Sequence, residues 1–453
     1  MSSTNYIGSK CRSSITAIRL IIFLLMTAIA QAQAVGGNTY KLTLAEAVQF
    51  AKNQNKLVQA ACMEESAAEE DRKDAYKAAL PTITANGSYQ RFTDLTLFTD
   101  GLGHSTTGPR KPTPNQAALG VDALFNIYSG GKQRALQSEQ RSRLQLARLN
   151  AMDQSGNIAL QTAHQYLELL RLNDLQKLIL DQLNRAQTRL HNINSLYKNQ
   201  KVTKSDVLRA EVLLSNVQLS LQENKNDLTI TNQKLDVLLN IPDSVRISPV
   251  DSAAMPKPAI SSLLPFVEAA GVTSYSVQKA TENIELQKAR LKGIESSNKP
   301  SIGFYTAYGL NYPNYLFFPP VNQAYAIGFV GLKAQYSISS LYHNKSKQAA
   351  GRLRVKELEV QQQAYNDNVR TEAHSNYIKY AEALTRIEVN ERSVEQAQVN
   401  YRIVNTKYLN QLSLLTDLLD ADNLYQESQF NLIKAQTNAL NIYYNILYVS
   451  GNL

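Results

Sequence analysis

Tryptophan is absent from this sequence, cysteine occurs twice in 453 residues, and no apolar run reaches the ~20 residues a helix needs to cross a bilayer. The last absence excludes a multi-helix membrane protein. It leaves a β-barrel open, because spanning strands alternate apolar and polar residues and barely raise the average hydropathy. Signatures of chemistry are missing too. There is no Cys-x-x-Cys pair, no His-Glu-x-x-His helix and no Gly-x-x-x-x-Gly-Lys-Ser/Thr loop. Gly130-Gly131-Lys132 reads as a strand-to-helix turn. The five histidines are dispersed, and His164 with Glu168 reads as a surface pair on one helix face. Glu64, Glu65, Glu69 and Glu70, followed by Arg72 and Lys73, read as a solvated helix face. No enzyme, metal site or cofactor is implied. What is plentiful is tyrosine, 24 residues, whose apolar ring and polar tip suit a membrane–water boundary.

The first 34 residues have the layout of a secretory signal. Lys10, Arg12 and Arg19 form a basic region, residues 20–29 a short apolar one, and Ala30, Ala32 and Ala34 are spaced as small-x-small cleavage sites. The expectation is a signal peptide over 1–34, cut after Ala32 or Ala34, and an exported chain from 35 to 453. Removing the leader lowers the formal net charge of +9 by three. So mild an excess argues against a nucleic-acid partner. Cys11 leaves with the leader, and Cys62 alone in the mature chain excludes an intrachain disulfide. No cysteine follows the apolar region to carry a lipid anchor.

Proline divides what remains. All 13 prolines fall at Pro81, between Pro109 and Pro114, between Pro242 and Pro265, or between Pro300 and Pro320. Residues 132–241 hold no proline and one glycine, Gly156, and residues 343–450 likewise only Gly351. Both stretches repeat apolar residues at three- and four-residue steps, as in Leu167, Leu170 and Leu208, Val212, and predict long helix pairs. Their turns are expected at 198–202 and 411–413. A helix from 132 to 196 would be roughly 97 Å long at 1.5 Å per residue, which indicates a coiled coil or tubular array. A shorter helix is predicted over 44–80, opened by a capping box at Thr43 and Glu46 and closed by Pro81. Its counterpart is predicted from Tyr275 to Ser296.

After each of those helices the period changes to two. Ile83, Ala85 and Tyr89 share one face. Leu119, Val121, Phe125 and Ile127 share another, with Asp122 and Asn126 opposite. Ile302, Phe304, Tyr308 and Leu310 form a third. Val330, Leu332, Tyr336 and Ile338 form a fourth, with Lys333 and Gln335 opposite. Four strands are predicted, at about 82–93, 115–128, 300–310 and 323–338, long enough to cross a bilayer at a tilt. They are joined in pairs by a polar loop over 95–115 and an aromatic one over 311–322, with Tyr312, Tyr315, Phe317 and Phe318.

The two halves resemble each other. Pro81 falls on Pro300 and Tyr89 on Tyr308 at an offset of 219, and Ser205-Asp206-Val207-Leu208 falls on Thr416-Asp417-Leu418-Leu419 at 211. The expected plan is a helix, two strands and a long helix pair, used twice. Repeat 1 spans about 41–241, a linker about 242–260, and repeat 2 about 261–453. Four strands leave open edges and cannot close around a lumen, so the sheet must close by association; two copies give eight strands and three give twelve.

This duplicated layout, the two helix-to-strand prolines and the turns at Tyr197–Leu208 and Tyr408–Leu419 resemble the TolC-like outer-membrane factor family over the whole mature chain. The resemblance implies an α+β membrane protein, a homotrimer with a 12-stranded barrel in outer-membrane lipid and a helical tunnel in the periplasm. It further implies an exit duct for a tripartite efflux pump or type I secretion system, working with a periplasmic adaptor and an inner-membrane transporter. Asp417 and Asp420 match the aspartates that ring the family's periplasmic constriction, and Asp206 and Tyr408 match a closed-state contact. Ser413 stands where the family has an arginine that holds the closed state, and Asn199 and Gln411 lie where glycine is common. Two other readings are a soluble periplasmic coiled-coil adaptor, which leaves four amphipathic strands unexplained, and a secreted enzyme, for which no constellation is visible.

Overall fold

The computed structural model describes residues 39–93, 96–98, 101–106, 113–243, 245–254, 256–316 and 321–453. The leader and Cys11 lie outside the described residues, as do Leu95, Pro109, Phe317, Phe318 and Pro320. In chain order the strands are β1 (Thr39–Leu42), β2 (Thr82–Arg91), β3 (Leu97–Phe98), β4 (Ser105–Thr106), β5 (Asn115–Tyr128), β6 (Arg246–Pro249), β7 (Ser301–Tyr312) and β8 (Tyr325–Gln335). The helices are α1 (Leu44–Gln54), α2 (Lys56–Lys77), α3 (Lys132–Lys198), α4 (Lys204–Leu239), α5 (Leu264–Thr273), α6 (Tyr275–Ser296), α7 (Ser340–His343), α8 (Lys345–Leu409) and α9 (Leu415–Val449). Among the described residues no helix is long and apolar enough to cross a membrane.

The chain forms two compact units, each drawing on both repeats. One holds the described part of Met1–Glu65 with Ala147–Ala280 and Gln362–Leu453; the other holds Ser66–Leu146 and Thr281–Gln361. The second unit carries the sheet, antiparallel throughout, in the order β2-β5-β7-β8. Its register pairs Ile83 with Ala123, Val121 with Tyr308, Phe125 with Phe304 and Phe304 with Leu332. The apolar faces read from the sequence therefore lie on one side of one sheet, except that Ile127 falls at a register shift before Tyr128 and that β8 ends at Gln335, short of Tyr336 and Ile338. Ile83, Leu119, Tyr308, Val330 and Leu332 are all exposed there. The other side carries Asp122, whose carboxylate accepts from Thr84 Oγ1 at 2.6 Å and from Asn86 Nδ2. After β5, Gly130 turns the chain at a φ of 65°, where a Cβ would sit 2.6 Å from the Ser296 carbonyl.

In the first unit the expected helix over 44–80 is broken. The capping box at Thr43 and Glu46 is present, but α1 stops at Gln54 because Asn55 turns extended, at a ψ of 133°. The Asn55 side chain accepts from Leu57 N–H and donates to the Leu238 carbonyl, each at 2.9 Å, so it stands in for the helical bonds it interrupts. The second repeat breaks at the equivalent place. Ser274, 219 residues on, also has a ψ of 133° between α5 and α6. Helix α6 spans the range expected, whereas α5 has no counterpart in the sequence reading.

Two apolar clusters form the core of this unit. Leu44, Ala47, Leu167, Leu170, Leu235 and Leu239 build one; Val267, Ala270, Ala373, Ala439 and Ile446 build the other. Each encloses a tyrosine from a long helix whose hydroxyl donates to incoming backbone. Tyr166 reaches the Leu42 carbonyl at 2.8 Å and Tyr380 the Pro258 carbonyl at 2.7 Å. Burial pushes the Tyr380 phenol up to about 12. The segment read as a linker is itself built in, since β6 pairs parallel with β1 and Ile247 and Ala253 enter the first cluster. His164 and Glu168 do not pair. Glu168 binds Arg171 at 2.5 Å, while His164 Nε2 is buried and burial lowers the ring's pKa.

Asp236 on α4 is buried beside Asp243, with its Oδ1 unpartnered among the described residues, and burial pushes its carboxyl up to about 6. An unfolded aspartate titrates near ~3.9. Between those values the folded chain holds a proton that the unfolded chain releases, so stability falls as pH rises through the window. Asp236→Asn is therefore expected to raise the Tm near neutral pH and to give no gain at about pH 4, in melts followed by circular dichroism.

Candidate functional site

The ends of the long helix pairs are built alike. At the end of α3, Lys201 N–H donates to the Leu196 carbonyl at 3.0 Å and Gln200 N–H to the Tyr197 carbonyl at 2.9 Å. At the end of α8, Leu412 N–H donates to Lys407 at 2.8 Å and Gln411 N–H to Tyr408 at 2.9 Å. These are Schellman caps, and their pivots, Gln200 and Gln411, have φ of 56° and 60°. Glycine takes that conformation freely; a side chain there costs roughly 1–2 kcal/mol. In the first turn the glycine-favouring place is thus Gln200, one residue beyond the expected Asn199.

The next helix in each pair starts on an aspartate. Asp206 accepts from Thr203 N–H at 2.9 Å and Thr203 Oγ1 at 2.7 Å, and Thr203 Oγ1 accepts from Asp206 N–H. The hydroxyl and then the backbone N–H of Thr203 hold the Asp206 carboxyl below the usual carboxylate range. Asp417, 211 residues on, accepts from Leu414 N–H at 3.1 Å and from Ser413 Oγ at 2.9 Å. Leucine at 414 offers no hydroxyl in return, so this cap is half of the first. Asp417 and Asp420 are both exposed, one turn apart on α9.

The expected contact between Asp206 and Tyr408 is not made in the protomer. The cap of α4 uses Asp206 Oδ2, and Tyr408 Oη is buried with no hydrogen-bond partner among the described residues. Burial first, and then the nearby Asp206 charge, raise the phenol's pKa. The two turns meet through apolar contact instead. Ile193, Val207, Ala210, Leu415 and Leu419 form a cluster against which Tyr408 packs.

Further from the turns lies a charged joint that the sequence reading missed. Asp422 on α9 is buried and accepts from Arg189 Nη2 at 2.6 Å and Arg185 Nε at 3.1 Å, both from α3. The signal was available: Asp422 follows Leu415, Leu418 and Leu419 on the buried stripe of α9, and Arg185 and Arg189 sit one turn apart. Among the described residues no group of acids, histidines or cysteines could hold a metal ion.

Residues 47–240 match the family model described as outer membrane efflux protein. That range is nearly all of repeat 1, and the TolC-like resemblance read from the sequence holds. Solved structures share the fold over most of their length. The outer membrane protein VceC from Vibrio cholerae is 16% identical, with a TM-score of 0.73 over 90% of this chain and 96% of that one. The CmeC outer membrane channel of Campylobacter jejuni is 14% identical, with a TM-score of 0.74 over 90% and 85%. The open-state MtrE outer membrane channel of Neisseria gonorrhoeae is 16% identical, with a TM-score of 0.71 over 90% and 89%. No curated protein matches.

The half cap at Leu414 generates a test. Thr203→Ala should loosen the start of α4 by about 1 kcal/mol, and Leu414→Thr should firm the start of α9 by a similar amount. Amide exchange across 204–208 and 415–419 reads both; no change in either would mean that the apolar cluster alone sets the turns.

Proposed function

We propose that this chain is one protomer of an outer-membrane export channel, the exit duct of a tripartite efflux pump or type I secretion system. The observation that carries it is the sheet. Four antiparallel strands present an exposed apolar face and, among the described residues, end in two unpaired edges, β2 and β8, in a chain whose first repeat matches the outer membrane efflux family. A face of that kind is stable against lipid, and edges of that kind are stable only when a neighbouring sheet takes them up. Three protomers would supply twelve strands around a lumen faced by Asp122, Asn126 and Lys333. The helical part would stand in the periplasm, where an adaptor joins it to an inner-membrane transporter. A soluble adaptor has no use for such a sheet.

Asp417 and Asp420 are read as the constriction. In a trimer they place six carboxylates near one axis, a field that draws cations and repels anions. Asp417 also caps α9, so charge and cap must be separated. Asparagine keeps an acceptor at that place, and Asp417→Asn with Asp420→Asn removes only the charge.

The duct reading expects a detergent-purified trimer that stays with the outer membrane through high-salt washing and conducts in planar bilayers. Release as a soluble monomer without conductance would sink it. Given conductance, the double asparagine variant should lose most of its cation preference, read as the reversal potential across a salt gradient. An unmoved reversal potential would put the constriction elsewhere.

A further inference from the structure

The side of the sheet that carries Asp122 is uneven. On β2 it holds only hydroxyls and amides, among them Thr84 and Asn86. On β8 it holds Ile327 and Phe329, which are 44% and 53% exposed, although Val330 and Leu332 already cover the opposite side. β8 is thus apolar on both sides, where a strand between lipid and a wet lumen needs only one. The register carries the contrast across the sheet. Asp122 on β5 lies opposite Ala307 on β7, and Ala307 opposite Phe329.

Between the polar and apolar edges the two middle strands are nearly bare. Gly120 lies directly opposite Gly309. A Cβ on Gly120 would first meet the backbone of Tyr308 and Gly309. One on Gly309 would meet the backbone of Leu119 and Gly120 and then, at 3.9 Å, the Asn311 amide. The result is a hollow floored by backbone, between strands that stand three spacings apart, ~14 Å. Its end is closed by Tyr305, which lies opposite Leu124 on one side and Gly331 on the other. The Tyr305 ring lies over Gly331, 2.8 Å from where a Cβ would stand, and meets Phe329 edge to face at 5.7 Å between centroids. Facing these rings is the Asp122 carboxylate, held by Thr84 Oγ1 and Asn86 Nδ2 and paired with no cation among the described residues. A carboxylate can accept more bonds than these two. Lys333 shares this side, but it is four residues along β8 from Phe329, ~14 Å away and beyond Gly331. Asp122 is the charge that borders the hollow.

We propose that this hollow is a cargo subsite on the lumen wall and that its ligand is a planar aromatic cation. The proposal rests on the export-duct reading, which makes this side of the sheet the inner one. The bare floor at Gly120 and Gly309 lets a flat ring lie against the backbone. The π-faces of Phe329 and Tyr305 favour a ring that is positive, and Asp122 supplies its counter-charge. A hard metal ion would find one carboxylate there and too few further oxygen ligands. A flat anion would be repelled by Asp122. Association of three protomers would place three such hollows around the lumen.

Ethidium, a planar fluorescent cation, tests this when titrated into the detergent-purified full-length protein and followed by anisotropy. Saturable binding is expected. Asp122→Asn and Phe329→Ala should each weaken it by about ten-fold, and Ala307→Leu, which fills the floor, should abolish it. Should Phe329→Ala fail to assemble, Phe329→Leu keeps the apolar bulk, removes the ring and carries the same expectation. Unchanged affinity in the Asp122 and Phe329 variants would overturn the subsite. 1-Naphthylmethylammonium should displace ethidium at about ten-fold lower concentration than 1-naphthalenesulfonate, which has the same ring and the opposite charge. Equal displacement would overturn the choice of a cation. A wild-type protein that conducts in planar bilayers and binds no ethidium would overturn the subsite and leave the duct reading standing. One that binds as expected and never conducts would instead remove the duct reading.

Discussion

Backbone N–H and C=O groups in hydrocarbon must find partners in protein, because each one left open costs several kcal/mol. On the export-channel reading, that requirement governs this chain more than any single side chain does. The sheet order β2-β5-β7-β8 satisfies the two inner strands and leaves β2 and β8 with one open edge each. Its apolar side, with Tyr308, Val330 and Leu332, is exposed. The helices carry the same message. Along α8, Val360, Ile378, Val389 and Ile403 are half or more exposed, while Val369, Ala373 and Tyr380 are buried. On the export-channel reading, other copies and lipid cover what one protomer leaves exposed.

Duplication explains how one chain produces such a part. The backbone solutions recur: a broken entry helix at Asn55 and Ser274, a buried tyrosine at Tyr166 and Tyr380, a left-handed pivot at Gln200 and Gln411. The side chains diverge where the halves must behave differently. Thr203 closes a full capping box and Leu414 cannot. Asp422 is clamped and Glu211 is not. Equivalent backbones therefore carry unequal fastenings in the two repeats.

Much of this was legible in the sequence because it depends on periodicity. The four strands, their shared apolar face and both helix–helix turns follow from spacing two, spacing three to four and the location of proline. The helix break at Asn55 was not legible, because asparagine is tolerated inside helices and its effect depends on reaching Leu238, which is 183 residues away. The offset of 219 that aligned Pro81 with Pro300 would have paired Asn55 with Ser274, two small polar residues at one place. The cap at Asp206 was not legible for a related reason. A residue-by-residue likeness transfers identities, and it does not show that Thr203 binds one oxygen of that carboxylate. The joint at Asp422 went unseen because a carboxylate on an apolar stripe says only that a partner must exist. Arg185 and Arg189 precede it by more than two hundred residues.

A buried ion pair is a poor way to add stability, since desolvation offsets most of the attraction, and apolar residues of similar volume often do as well. Its value is in contrast between states. An apolar contact weakens gradually as helices slide, because the area buried changes smoothly. A charge pair excluded from water changes steeply, since its energy depends on whether water has entered. The cluster of Ile193, Val207, Leu415 and Leu419 is a contact of the first kind and joins the two turns. Arg189 and Asp422, at 2.6 Å and almost wholly buried, suit the second. The pair sits on α9 within five residues of Asp417 and Asp420, which are both exposed.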